Sequence, residues 1–239
     1  MSKREPTLRP GVWLISVAMQ MEAELLTSRL KPAEPINHWP MWRGSLGNQE
    51  VLLQLSGMGL VNSASAVTAA LERMPDITSL INLGCAGAYA KSGLEVGQAA
   101  LASQIVLADH GVRTSRKLHG LEKTGIPLFE HKGEDIYNHL PCSAELNSRL
   151  ALPGLARGLF ACVAQVSGDP AIAASVEARW GAILEDMESG AVAQVAALYG
   201  LPFACVRGVS NMAGARELDV KAGAEAAQRA LLAALGEKS

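Results

Sequence analysis

Short runs rich in Val, Ile and Leu alternate with helical patterns along almost the whole chain, and this alternation limits the fold more than any other feature. "VWLISVAM" precedes "EAELLTSRL", "EVLLQLSG" precedes "NSASAVTAALERM", and "TSLINLG" follows. Later come "AALASQIVLAD", "GLFACVAQVSG", "GAILEDM" and "PFACVRGVS", the last three each followed by an Ala-rich helical stretch. Strands that are apolar throughout must be covered on both faces, and strands separated by helices tend to pair in parallel. The expected fold is a three-layer α/β/α sandwich with a mixed, largely parallel central sheet. With 239 residues, the chain can bury about three quarters of its unfolded surface as one domain. That domain is assigned to residues 11–239, behind a disordered tail at 1–10.

Gly200 followed by Leu201-Pro202 marks a helix end and a fresh strand, so Ser189 to Tyr199 is predicted helical. Asp109 to Pro141 carries many charges and no clear period. It is predicted to be a long excursion rather than core, of the kind that closes over ligands.

Several function classes are excluded at this level. A formal charge of −2 gives no electrostatic reason to expect nucleic acid, and a small, near-neutral ligand fits better. Cys85, Cys142, Cys162 and Cys205 are widely spaced, and the five histidines show no metal-binding spacing. Neither a disulfide framework nor a metal site is expected. "MSKREPTLRPGVWLISVAM" turns from basic to apolar, but the apolar run is short and lacks a small-residue cleavage site. No stretch approaches the roughly 20 apolar residues of a membrane span. The expected location is cytoplasmic, with no membrane partner.

In open α/β sheets ligands bind beyond the carboxyl ends of the strands. The residues predicted to lie there are few and polar: Glu22, then Gly57-Met58-Gly59, Gly84-Cys85-Ala86-Gly87, Ser167-Gly168-Asp169, Met187-Glu188 and Ser210-Asn211. "SGMG" and "LGCAG" read as glycine turns before helices, and such turns serve tight packing as well as ligand cradles. Glu22 or Glu188 alone has an ordinary role as a dipole partner at a helix start. Arg207 inside the apolar "FACVRGVS" is different, because an arginine in a buried strand requires a carboxylate or a ligand.

"VAMQMEAELL", "SGMGLVNSASA", "NLGCAGAY", "SGDPA" and "EDMESGAVAQVAALYGLPFACVRGVSN" together resemble the nucleoside phosphorylase / methylthioadenosine nucleosidase superfamily, which cleaves N-ribosidic bonds. The resemblance implies that Glu22 activates water, that Met187 and Glu188 hold the ribose, and that Arg207 orders the nucleophile site. Ser210, Ala86, Gly87 and Gly168 belong to the implied substrate site. Cys85 falls where nucleosidases often carry Ser; a thiol is the weaker hydrogen-bond partner, so that position's role is assigned to backbone N–H groups. A carboxylate can accept from both ribose hydroxyls and favours the cationic sugar of the transition state.

Phosphorylases of the superfamily place an arginine where this chain has Asn82, and a glutamate at 22 repels phosphate but takes a proton from water. Hydrolysis without a cofactor is therefore expected. Adenine-specific relatives carry Asp at the position of Asn211. An amide NH₂ can instead donate to N7 or O6 of a 6-oxopurine, which a carboxylate cannot do for O6. This combination resembles the futalosine hydrolases of menaquinone biosynthesis, which release hypoxanthine. The resemblance further implies a homodimer or higher homo-oligomer, and a cation for the benzoate of futalosine, for which Arg113, Arg116, Lys117 and His119 are candidates. Two alternatives stand: a methylthioadenosine/S-adenosylhomocysteine nucleosidase, and a nucleoside-binding module without catalysis.

Overall fold

The computed structural model describes residues 8–115, 117–131 and 133–237. Residues 1–7 of the expected tail, and Arg116, lie outside the described residues. Ten strands form one sheet: β1 (Val12–Val17), β2 (Lys31–Ile36), β3 (Trp39–Leu46), β4 (Gln49–Leu55), β5 (Ile77–Ala88), β6 (Ala99–Leu107), β7 (His139–Pro141), β8 (Ala156–Cys162), β9 (Leu184–Asp186) and β10 (Phe203–Met212). Six α-helices accompany them: α1 (Glu24–Thr27), α2 (Leu60–Arg73), α3 (Ala144–Leu150), α4 (Pro170–Trp180), α5 (Ser189–Tyr199) and α6 (Val220–Ala234).

The sheet runs β7-β6-β8-β9-β5-β1-β4-β3-β2, and β10 pairs with both β5 and β6. Pairing is parallel along β4-β1-β5-β10 and along β6-β8-β9. Antiparallel contacts of β9 with β5 and of β10 with β6 join the two sets. The sheet thereby closes on itself through β5, β10, β6, β8 and β9, and β1, β9 and β10 each pair with residues 83–88 at the end of β5.

Alternation along β1 shows why the sheet is covered on both faces. Leu14 joins a cluster with Val67 of α2 and Val192 of α5, whereas Trp13, Ile15 and Val17 join one with Leu26 of α1, Leu150 of α3 and Leu231 of α6. Successive side chains of a strand point to opposite faces, and fully burying each large apolar one contributes about 1.5–3 kcal/mol. Leu8 packs against the second cluster, and its N–H donates to Glu145. Among the described residues no helix is long and apolar enough to cross a membrane.

The three-layer α/β/α sandwich and the helix at Ser189–Tyr199 are present as expected. Two local expectations are corrected, and one element was not foreseen. The hairpin of β2 and β3 is not visible as alternation, because β2 is a proline-containing, mostly exposed edge strand and such strands bury little. The excursion after Asp109 is not wholly outside the core: after two small hairpins it returns as β7 against β6. Buried Asn138 ties it down, donating to the carbonyls of Leu107 and His110 and accepting from the Leu121 N–H. "LGCAG" is not a turn before a helix but part of β5. Its glycines serve close approach, because a Cβ on Gly84 would lie 2.3 Å from Arg207 Nη1 and 2.8 Å from Glu22 Oε1.

Candidate active site

Arg207 sits on β10 with no exposure, and the polar groups at neighbouring strand ends are built around it. Its Nε donates to Asp186 Oδ2 at 3.3 Å, and its Nη2 donates to Asn82 Oδ1 and, at 3.4 Å, to Glu188 Oε2. Nη1 makes no hydrogen bond within the described residues and lies beside Glu22 across Gly84. Burial works against the guanidinium charge, but Asp186, Glu188 and Glu22 outweigh it, so the Arg207 pKa is raised and the group stays protonated. The partner that a buried strand arginine requires is thus a set of carboxylates.

Each carboxylate is held by backbone donors. Asp186, at the end of β9, accepts through Oδ1 from the N–H groups of Glu188 (2.9 Å) and Ser189 (2.8 Å), orphan donors at the start of α5. Glu188 Oε1 accepts from the Gly59 N–H at 2.9 Å. Glu22 ends a 3₁₀ turn after β1, where Oε1 accepts from the Cys85 N–H at 2.8 Å and Oε2 from the Met19 N–H at 3.2 Å. Burial pushes the Glu188 carboxyl up to about 7, against the pull of Arg207, with Asp186 adding to the rise. Burial and then Glu22 push the Cys85 thiol up to about 12, so it is a neutral group beside the site and no nucleophile.

A second constellation adjoins the first at Gly87. β10 pairs Asn211 with Gly87 and β9 pairs Glu185 with Gly87, and a Cβ there would stand 3.4 Å from both side chains. The Ser210 hydroxyl lies 2.8 Å from Asn211 Oδ1 and 3.2 Å from the Ala86 carbonyl, to either of which it can donate its one hydrogen. Asn211 Nδ2 donates to the Met212 carbonyl at 3.0 Å, which leaves the second amide hydrogen free to serve a ligand. Buried Glu185 accepts from Tyr89 Oη at 2.8 Å, Ser167 N at 2.9 Å and Ser167 Oγ at 2.7 Å, and so holds the turn that carries exposed Gly168.

Of the residues singled out in the sequence, Arg207 is hydrogen-bonded to Glu188 and Asn82, Glu22 to the Cys85 N–H, and the two sets meet at Gly84, while half-buried Met187 lies between Asp186 and Glu188. Ser210, Asn211, Ala86 and Gly87 form the adjoining set, with Gly168 on the turn that Glu185 anchors. Sequence reasoning missed Glu185 and Tyr89, and it placed Gly59 at the crevice without foreseeing that its N–H donates to Glu188. The acidic run "EDME" ahead of a helix was the available signal for Glu185; nothing marked Tyr89.

The Phosphorylase superfamily model matches residues 13–236. The chain belongs to this superfamily. Within it, the chain is 34% identical over 212 residues to futalosine hydrolase of Thermus thermophilus, covering 86% of each chain. It is 32% identical over 207 residues to 5′-methylthioadenosine/S-adenosylhomocysteine nucleosidase of Bacillus velezensis, covering 85% of this chain and 86% of the relative. A solved S-adenosylhomocysteine nucleosidase from Streptococcus pyogenes, in complex with 5-methylthiotubericidin, superposes with a TM-score of 0.79 at 22% identity, covering 95% and 96% of the two chains. The last likeness shows the superfamily fold. With curated relatives of both kinds being hydrolases, this superfamily member is an N-glycosyl hydrolase.

Proposed function

We propose that the protein hydrolyses futalosine to hypoxanthine and dehypoxanthine futalosine, without a cofactor. Asn211 is the observation that carries the choice of substrate. With Oδ1 beside the Ser210 hydroxyl and one amide hydrogen on the Met212 carbonyl, the remaining hydrogen is a donor at the base site. N7 and O6 of a 6-oxopurine are both acceptors, and a site built to donate to them disfavours a 6-amino group facing the same hydrogen. The futalosine hydrolase relative supports this reading.

Glu22, fixed by two backbone N–H groups, takes a proton from water as its oxygen attacks C1′. The Arg207 Nη1 donor beside Glu22 orients that water. The C1′–N9 bond breaks with its electron pair going to the purine, and Asn211 supports the charge that collects on N7 and O6. Met187 and Glu188 seat the ribose hydroxyls, and the carboxylates of Glu22 and Glu188 favour the cationic sugar. Glu22 then passes its proton, directly or through solvent, to a nitrogen of the departing purine, which leaves as neutral hypoxanthine. Three carboxylates around one guanidinium, Glu22, Asp186 and Glu188 around Arg207, repel phosphate and so favour water as nucleophile.

A methylthioadenosine/S-adenosylhomocysteine nucleosidase is the second reading, favoured by relatives such as the Bacillus velezensis enzyme. The deciding measurement is base release from futalosine, aminodeoxyfutalosine, inosine and methylthioadenosine, with and without phosphate. Hypoxanthine from futalosine, indifferent to phosphate, is expected. Adenine from methylthioadenosine in its place would overturn the substrate assignment and keep the hydrolytic one.

A further inference from the structure

Two consecutive carboxylates on β9 serve the two constellations of the site. Successive side chains of a strand point to opposite faces, so Asp186 turns to Arg207 while Glu185 turns to Tyr89 and Ser167. Glu185 is 4% exposed, and among the described residues it enters no ion pair. Its partners are three neutral donors: the Ser167 N–H on Oε1, and the hydroxyls of Tyr89 and Ser167 on Oε2. Burial, and then Glu185 itself, push the Tyr89 phenol up, so it stays a protonated donor. A carboxylate that gathers three donors holds them more firmly than a neutral acceptor would.

What it holds is the turn at 167–169. Ser167 is tied to Glu185, and Asp169 caps α4 by accepting from the N–H groups of Ala171 and Ile172, both at 2.9 Å. The Asp169 backbone also stands against the segment after Asn211, since a Cβ on Gly214 would lie 2.5 Å from the Asp169 carbonyl. Between these ties Gly168 is exposed, with open space where a side chain would be. On the other side of Glu185, Tyr89 follows β5 two residues beyond Gly87, and buried Glu177 of α4 accepts from the Lys91 N–H at 2.8 Å. Glu185 thereby joins the turn to the strand end that Asn211 also borders. Among the described residues, none of its hydrogen bonds reaches Glu22, Glu188 or Arg207.

Resting on the purine nucleosidase reading, we propose that Glu185 is a positioning residue for the base: through Ser167 and Tyr89 it holds the 167–169 turn against the edge formed by Gly87 and Asn211, and base affinity depends on it while the ribose end does not. Glu185→Ala and Glu185→Gln in the full chain test it by calorimetric titration with hypoxanthine, with adenine, and with 1,4-dideoxy-1,4-iminoribitol, a base-free sugar analogue that carries the ring cation. Glu185→Ala should weaken base binding by about tenfold or more and leave iminoribitol binding within about twofold. Glu185→Gln should recover base binding to within about threefold of wild type, because its carbonyl accepts from the Ser167 N–H and its NH₂ donates to the two hydroxyl oxygens. Equal weakening of base and iminoribitol, or unchanged base binding in Glu185→Ala, overturns the proposal. So does a Glu185→Gln variant as weak as Glu185→Ala, which would put the carboxylate charge on the base itself. If Glu185→Ala does not fold, Ser167→Ala decides: base affinity should fall by about threefold at constant iminoribitol affinity, and unchanged base affinity overturns the proposal. The base that the wild type prefers tests the substrate reading separately, since the changes among variants are read with whichever base binds; binding of neither base to the wild type overturns both.

Discussion

The cluster around Arg207 and the hairpin that carries Arg113 hold cations in opposite circumstances. Arg207 is fully buried, and its carboxylate partners are themselves held by N–H groups of Met19, Gly59, Cys85, Glu188 and Ser189. Arg113 and Lys117 stand exposed on a hairpin loop outside the sheet. Interior charges that satisfy one another are determined by geometry and are little screened, whereas exposed ones respond to salt and to whatever ligand arrives. Changes in the first region should therefore reach kcat and the fold, and changes in the second should leave the fold intact.

The comparison breaks most directly at Arg207 and Glu22. Arg207→Ala leaves buried Asp186 and Glu188 without their cation and should cost about 3–5 kcal/mol in chemical denaturation. Glu22→Gln should lower kcat by about 10²–10⁴-fold with the thermal midpoint nearly unchanged; near-wild-type turnover would remove Glu22 from the mechanism. Next in size is Asn211→Asp, which should move the ratio of hypoxanthine to adenine release by about 10²-fold or more towards adenine in competition assays. A ratio that stays put would detach Asn211 from base choice.

Glu188 sharpens the comparison through pH. Its carboxyl is pushed up to about 7 by burial, so it gains a proton, and loses its charge and acceptor capacity, as pH falls through that value. The kcat/KM profile should fall on the acid side near pH 7. Stability moves the other way: between the ordinary carboxyl range and about 7 the native state holds the extra proton, so stability declines as pH rises through that window. Glu188→Gln should flatten that decline while lowering activity, read by thermal unfolding at several pH values. The smallest effect is expected for Cys85→Ser, since position 85 serves Glu22 through its backbone N–H. Its kcat/KM should change by no more than about threefold.

Much of this was legible before any coordinates. Alternating apolar runs carried the three-layer sandwich, because strands buried on both faces admit few other solutions. Glu22, Glu188, Arg207 and Asn211 were conspicuous as polar groups where an apolar strand should end. Proline-rich β2 was hidden because an exposed edge strand leaves no alternating imprint. The "LGCAG" glycines were misassigned for a related reason: a glycine needed for a turn and one needed for close approach look identical in sequence.

The sequence by itself determined the layers, the helix at Ser189–Tyr199 and which polar residues had to find partners. Only the tertiary structure decided who those partners are. Glu22 meets the Cys85 N–H across 63 positions, Glu188 meets the Gly59 N–H across 129, and Arg207 meets Asn82 across 125. The pairing of β1, β9 and β10 with β5 brings those groups together, and a hydrogen bond depends on distance in space, which no local pattern along the chain encodes.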